Sequence, residues 1–581
     1  MEKRAIYAIL LTFIVIMIWS LIQSKFFPPP AKPQRQETRK EEVSPPETLP
    51  KRTEMKEPEL LTGSKTATKA RVAPHREISV ETQNYWAVFT SGDARLKHFK
   101  LKNYEDRAEE SAVTVKLIHL VDEILGKPVE KPKKPEPLDL VNTRVEKDLP
   151  LGLTVEGSLP SYENWEVNKD KGELRLLETG EKDEITFSKT LNNGLKIFKH
   201  FKFTSDQYVI DLKTEIQNPT QKEIRSQLGL EWVGEVELKK LAKEDNKDYG
   251  LKYSLLRNQK VEKKEFGSAS TSGCVPGCGA QKKTTIEPFE TTDKGDIRWF
   301  SFGGEYFTAL VIPPQSKDIA VSIKGSEKDL LKADVISPPI SIPSGGKVDV
   351  SYRIYLGPKD ENRLKALGVE AEKLVDFGIF TIIAKPLLWF LRLTNKVTGN
   401  FGIDIIILSV LIKIIFLPLT QISFKSMKEM QKVQPEMNRL KEQYKNDKAR
   451  LQQEIMLLYK RRKINPMSGC LPMLIQIPVF IALYNALQNG IEMRHAHFFL
   501  WITDLSSKDP IYITPLIMGA TMVIQQKMTP TAADPTQAKM FLLMPVMFTF
   551  LFLNFPSGLV LYWLVNNVLS IAHQYYLNKK T

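Results

Sequence analysis

Residues 401–419 read FGIDIIILSVLIKIIFLPL, and the one charge in the interior of that apolar run is Lys413. As a helix the run extends about 28 Å, close to the roughly 30 Å hydrocarbon core of a bilayer. Lys413 falls about 16 Å beyond Gly402 along that axis, at mid-membrane depth. A cation there costs about 2.5–3.5 kcal/mol on insertion scales, so it is expected to face a bundle interior or a wet cavity and to act on something there. Snorkelling is the competing account, but the nearer interface is about 10 Å away and a lysine stem covers only part of that distance.

Four further spans follow, at 470–487, 511–526, 540–555 and 559–576. Upstream, residues 6–22 are uncharged, follow Lys3 and Arg4, and precede no small-x-small cleavage motif. Residues 1–27 are therefore expected to be a retained signal anchor, giving six spans in all. Residues 28–76 are rich in proline, lysine and glutamate with almost no aromatics, a composition that cannot bury a core and reads as a disordered tether. A similar patch at 127–138 (KPVEKPKKPEPL) reads as a loop.

Between these, residues 77–359 alternate apolar and polar positions in short runs separated by turn residues. Asn193-Gly194 predicts a hairpin turn, after which Tyr208, Ile210, Leu212, Thr214 and Ile216 alternate. No helical period stands out, and the region reads as a large antiparallel β-sandwich. Residues 374–396 are apolar but contain Lys385, Pro386 and Arg392, which predicts an amphipathic helix lying in the outer interface rather than a span.

The loop at 420–467 carries twelve basic residues against five acidic ones, a balance of +7. Met427, Met430, Val433, Met437, Leu440 and Tyr444 keep helical spacing, and Leu451, Ile455 and Leu458 resume it after Asn446-Asp447, predicting two antiparallel helices. The positive-inside rule then puts this loop and both termini in the cytoplasm and residues 23–400 outside. The loop at 488–510, with two bases against three acids, falls outside as well.

Bulk composition adds limits. A net charge of +14 points to anionic partners such as lipid head groups or RNA. Three cysteines are too few for a disulfide framework; Cys274 and Cys278 sit in a glycine-rich loop that is open to three readings, a small disulfide, a metal site or an ordinary loop. His495 and His497 form an HAH pair with no further ligand in view. No GxSxG, HExxH, Walker A or paired-CxxC pattern occurs, so no enzyme activity and no cofactor are expected.

Ser409 shares a helix face with Lys413. Gln476, Gln525, Gln526, Asn566 and Asn567 are further polar groups in or beside the spans. Each alone is explained by an interhelical hydrogen bond. With Lys413 they predict a polar, hydrated groove. The spans at 511–526 and 540–555 extend only about 24 Å, so they are expected to thin the bilayer. Methionines at 518, 522, 528, 540, 544 and 547 supply a soft lining.

The stretches NPMSGCLPMLIQIPVFIALYNAL (465–487), WITDLSSKDPIYITPLIMGATM (501–522), QQKMTP (525–530) and FPSGLVLYWLVNNV (555–568) resemble the YidC/Oxa1/Alb3 family of membrane protein insertases across the whole C-terminal bundle. EYFTALVIP (305–313) and YLGPK (355–359) resemble its Gram-negative form in particular. The resemblance implies an α-helical membrane bundle, a five-helix insertase core at 401–578 plus the anchor, with an all-β periplasmic supersandwich related in fold to sugar mutarotases. Sugar chemistry does not carry over with a fold. It implies an inner-membrane insertase and chaperone for newly made membrane proteins, acting alone or beside the Sec translocon, without ATP hydrolysis. Its implied partners are nascent membrane proteins, the Sec translocon, the ribosome through the 420–467 loop, and the lipid bilayer, with no DNA. Lys413 would attract acidic substrate residues, hydrated by Ser409, Gln476, Gln526 and Asn567, while Tyr562 and Trp563 would contact the substrate's apolar segment. Two departures stand out: Lys413 replaces the family's usual arginine and loses its bidentate fork, and the tail ends at YLNKKT, which makes ribosome contact through the tail doubtful. A small-solute transporter and a membrane-bound glycan enzyme are the alternatives. The first would show an inverted repeat or paired broken helices, and the second convergent carboxylates or histidines on the sandwich.

Overall fold

A computed structural model describes residues 75–580 except 125, 127–132, 144, 156–163, 170–171, 236–251, 266–288, 327–329, 463, 465–470 and 529–534. The expected anchor, nearly all of the tether and the Cys274–Cys278 loop lie outside the described residues.

Strands run from Glu77 to Pro358. In Val209–Gln217 the residues Ile210, Leu212, Thr214 and Ile216 are buried while Asp211 and Lys213 are exposed, the period-2 pattern of a half-buried strand. It pairs antiparallel with Lys196–Thr204 on one side and Lys347–Pro358 on the other, in the middle of a nine-stranded sheet. Gly194 makes the tight turn into Lys196–Thr204 at φ +86°, where its N–H donates to the Leu191 carbonyl at 2.9 Å. Two five-stranded sheets and a two-stranded one complete the β region. One apolar cluster joins Val80 and Phe89, Phe201 and Leu212, and Trp232 and Val321, so the three large sheets share a core. The result is a large all-β supersandwich.

Two details differ from expectation. Glu77–Glu81 pairs parallel with Glu173–Arg175, so the sandwich is not purely antiparallel. A helix, α1 (Ala112–Ile124), also lies within it. Its first residues include Val113, Thr114 and Val115, whose β-branching reads locally as strand; Ser111 Oγ starts the helix by accepting from Thr114 N at 3.1 Å.

After the sandwich come α2 (Glu361–Ala366), capped by Asp360, and α3 (Thr381–Thr398). The helix expected at 374–396 begins at Thr381, because residues 371–380 form two short 3-10 turns. Ala384, Leu388 and Leu391 are buried against the bundle, while Ile382 (88 % exposed) and Val397 (90 %) are exposed together with Lys385 and Lys396. Two of its three charges are held in ion pairs, Lys385 with Glu361 and Arg392 with Glu492, each at 2.5 Å.

The expected 401–419 helix is two helices, α4 (Phe401–Ile415) and α5 (Leu417–Lys432), meeting at a 60° bend. Pro418 is the reason: it has no N–H to donate and its ring clashes with the carbonyl four residues back. The basic loop is likewise split once more than expected. Pro435 opens a separate helix, α6 (Gln434–Gln443), which pairs with α7 (Lys448–Arg461). Then follow α8 (Leu471–Asn489), α9 (Ile513–Met528), α10 (Pro535–Phe552) and α11 (Ser557–Lys580). Gly519 lets α9 approach α10, since a Cβ there would run into Thr549. Among the described residues no single helix is long and apolar enough to cross a membrane, while the α4–α5 pair, bent by 60°, reaches that length and apolarity only when its two helices are taken together.

Candidate functional site

The outer surface of the helices is apolar. Ile414 and Ile415 on α4 are each 61 % exposed, Leu516 on α9 58 %, and Phe550 on α10 68 %. Exposed large apolar side chains on several helices are what a lipid-facing bundle presents.

Inside, α11 is the hub, packing on α9, α4 and α8. Its Tyr562, Asn566, Ser570 and His573 follow at four, four and three residues, one helical face. Lys413 reaches that face from α4, donating to Ser570 Oγ at 2.6 Å, and Ser570 Oγ donates to the Asn566 carbonyl at 2.6 Å. Among the described residues no carboxylate pairs with Lys413. The nearest acid along α4 is Asp404, nine residues or about 13 Å away; it is fully buried and accepts from Thr398 and Asn395 at 2.7 and 2.8 Å. The ammonium has three donors and one acceptor, Ser570 Oγ, among the described residues, so it keeps capacity for an anion.

The other expected residues divide. Gln476 on α8 donates to the Tyr562 hydroxyl at 3.3 Å, and Asn567 donates to Thr521 Oγ1 at 3.2 Å. Gln526 sits half-buried near the end of α9. Ser409 is fully buried and its hydroxyl donates to the Ile405 carbonyl at 2.7 Å, so it is a helix-internal group. Tyr562 is fully buried within the bundle core, where its ring meets no open surface. Trp563 is half-buried in an aromatic wall, 5.2 Å from both Phe480 and Phe552 and stacked on Phe548 at 6.2 Å.

Sequence reasoning missed Ser570, Thr521 and His573. The signal was present in α11, where 566, 570 and 573 keep helical spacing, but serine and histidine near a helix end attract no notice alone.

Beyond the bundle, α6 and α7 close on Val433, Met437, Leu458 and Ile464, tied by the Arg462–Glu436 ion pair. Arg439, Lys445, Arg450, Lys460 and Arg461 stay exposed. The sandwich meets the α8–α9 loop and the segment just before α3. Ile491 enters the sandwich core, Arg494 lies 5.0 Å over the Phe307 ring, and Lys263 pairs with Asp376 at 2.9 Å. No group of three His, Cys, Asp or Glu suited to a metal occurs among the described residues.

Two family models match the chain: the YidC periplasmic domain over residues 128–390 and the 60Kd inner membrane protein over residues 393–581. A membrane protein insertase YidC of Syntrophus aciditrophicus is 40 % identical over the full length of both chains. Another, from a Geobacter species, is 40 % identical over 87 % of this chain and 86 % of its own. A YidC insertase crystal structure is similar with a TM-score of 0.34 and 18 % identity, covering 87 % of this chain and 93 % of that one. Identity at this level over the full length of both sequences shows descent from one ancestor: the chain belongs to the YidC family of membrane protein insertases.

Proposed function

We propose that this insertase moves nascent membrane proteins into the inner membrane through the polar seam between α4, α8, α9 and α11. The observation that carries the reading is Lys413, a cation held by Ser570 inside an apolar bundle with no carboxylate opposite it among the described residues. Such a charge is costly where it stands and is balanced when an acidic residue of a passing chain comes alongside. Gln476, Thr521, Gln526 and Asn567 line the route as hydrogen-bonding groups. Trp563 and its phenylalanine neighbours form the wall along which an apolar segment leaves for lipid.

In this reading residues 401–578 are the working core, and with the anchor they make six spans with both termini in the cytoplasm and residues 23–400 in the periplasm. Insertion draws on transfer free energy rather than nucleotide hydrolysis. The α6–α7 hairpin receives the ribosome or its nascent chain, and a Sec translocon is the second site from which substrates arrive. Tyr562 serves from inside the core by holding Gln476. A photo-reactive amino acid at position 570 tests the route: it should trap a stalled nascent chain during insertion, whereas one at position 403 on the outer face of α4 should not. Equal trapping at both sites would remove the seam from the mechanism.

A further inference from the structure

Lys413 leaves its neighbour His573 without an assigned task. His573 lies three residues beyond Ser570 on α11, one turn or about 4.5 Å further towards the C-terminus. Both of its ring nitrogens are shut off from solvent, and neither has a hydrogen-bond partner among the described residues. The ring packs edge-on against Phe424 of α5, with centroids 5.8 Å apart. An imidazole always carries at least one N–H donor, and a buried polar group left unpaired in a folded protein normally holds water or a ligand. Lys413 meets the α11 face at Ser570, His573 lies one turn further along that face, and no carboxylate pairs with either among the described residues, an arrangement of donors that fits an anion.

We propose that His573 and Lys413 together bind a side-chain carboxylate of the inserting chain, with His573 the residue that sets the preference for acidic tails. The proposal rests on the seam reading above and names its ligand chemistry. One carboxylate oxygen takes an N–H of Lys413 and the other takes the imidazole N–H, so both acceptors of an Asp or Glu are satisfied away from bulk water. With the C-terminus inside, His573 stands on the cytoplasmic side of Lys413 and meets the acid first. Phe424 holds the ring in place from α5.

The full-length protein is tested with one single-span substrate in two forms, an acidic outer tail and the same tail with Asn and Gln in place of Asp and Glu. His573→Phe keeps the ring contact with Phe424 but has no donor. It should lower acidic-tail insertion about tenfold more than neutral-tail insertion, the worth of one charge-assisted hydrogen bond. His573→Gln should recover most of that difference, and His573→Lys should raise the acidic-to-neutral ratio, so the proposal is readable from either even if the Phe protein does not accumulate. Equal losses for both tails, or a ratio that no His573 variant moves, overturn it. Lys413→Ala run alongside separates the two layers. A ratio moved by Lys413→Ala alone leaves the seam and removes His573 from it; a ratio moved by neither removes the seam reading itself.

Discussion

At the scale of single residues, charge decides more than shape. A unit charge pair at 4 Å is worth about 4 kcal/mol at an effective dielectric of 20 and about 1 kcal/mol in water. A partly wet seam lies between these limits. Lys413→Arg should therefore keep insertion, while Lys413→Ala should slow acidic-tailed substrates by one to two orders of magnitude, at about 1.4 kcal/mol per factor of ten. Pulse-labelled insertion assays read this directly, and an equal defect for neutral tails would assign Lys413 to structure instead. Ser409, expected to help hydrate Lys413, is bonded to its own helix, so moving the cation to position 409 should rescue little. In the sandwich, Lys199 is the contrasting buried cation. Its ammonium donates to the carbonyls of Ala94 and Leu151 at 2.8 and 2.7 Å, and burial pulls its pKa from 10.5 to about 7. Between those values the unfolded chain holds the proton and the folded chain does not, so Lys199 makes stability rise with pH from about 7 towards 10.5. Pulse proteolysis of the full chain across urea should show the midpoint of the sandwich rising from pH 7 to pH 9.5, with a shallower rise in Lys199→Met. Lys359, drawn down to about 8 by burial, supplies the remainder.

At the scale of elements, prolines set the joints. Pro418 sets the 60° bend between α4 and α5, and Pro435 starts the arm that folds back on α7. Among the described residues that hairpin has a small core, Val433, Met437, Leu458 and Ile464 with Met430, Leu440, Ile455 and Tyr459 packed on it, so its exposed bases are its substance. Replacing residues 434–460 with a neutral glycine-serine linker should impair insertion even though the bundle still assembles, as counted by substrate inserted per molecule of stably accumulated protein. Wild-type activity in that variant would show that the +7 loop is not a docking element.

At the scale of the whole molecule, the seam and the sandwich are separate bodies of chemistry sharing a contact at the α8–α9 loop. Every side chain assigned to the seam lies after Phe401. Deleting residues 77–324 while keeping the anchor, a linker and α3 should leave insertion of a single-spanning substrate mostly intact. It should also lower resistance to heat, because Ile491 loses its cover in the sandwich core, a burial worth about 1.5–3 kcal/mol. Loss of insertion by a truncated protein that accumulates normally would mean that the sandwich takes part in the reaction.

The amino-acid sequence alone determined the apolar helical bundle, the lysine within its first apolar run, the alternating strands of the sandwich and the family. These are local patterns, written in period, charge and turn residues within a few consecutive positions. Tertiary structure alone decided what each face meets. Lys413 and Ser570 are 157 residues apart, and Gln476 and Tyr562 are 86 apart; helical period says that they point inward but not towards which neighbour. It was also packing that sank Tyr562 into the core, turned Ser409 back on its own helix, left both nitrogens of His573 without a partner among the described residues and made a helix of 112–124 despite its β-branched start. The reason is common to all four: period fixes the direction of a side chain about its own axis, whereas its partners depend on how two axes cross, which no short stretch of sequence encodes.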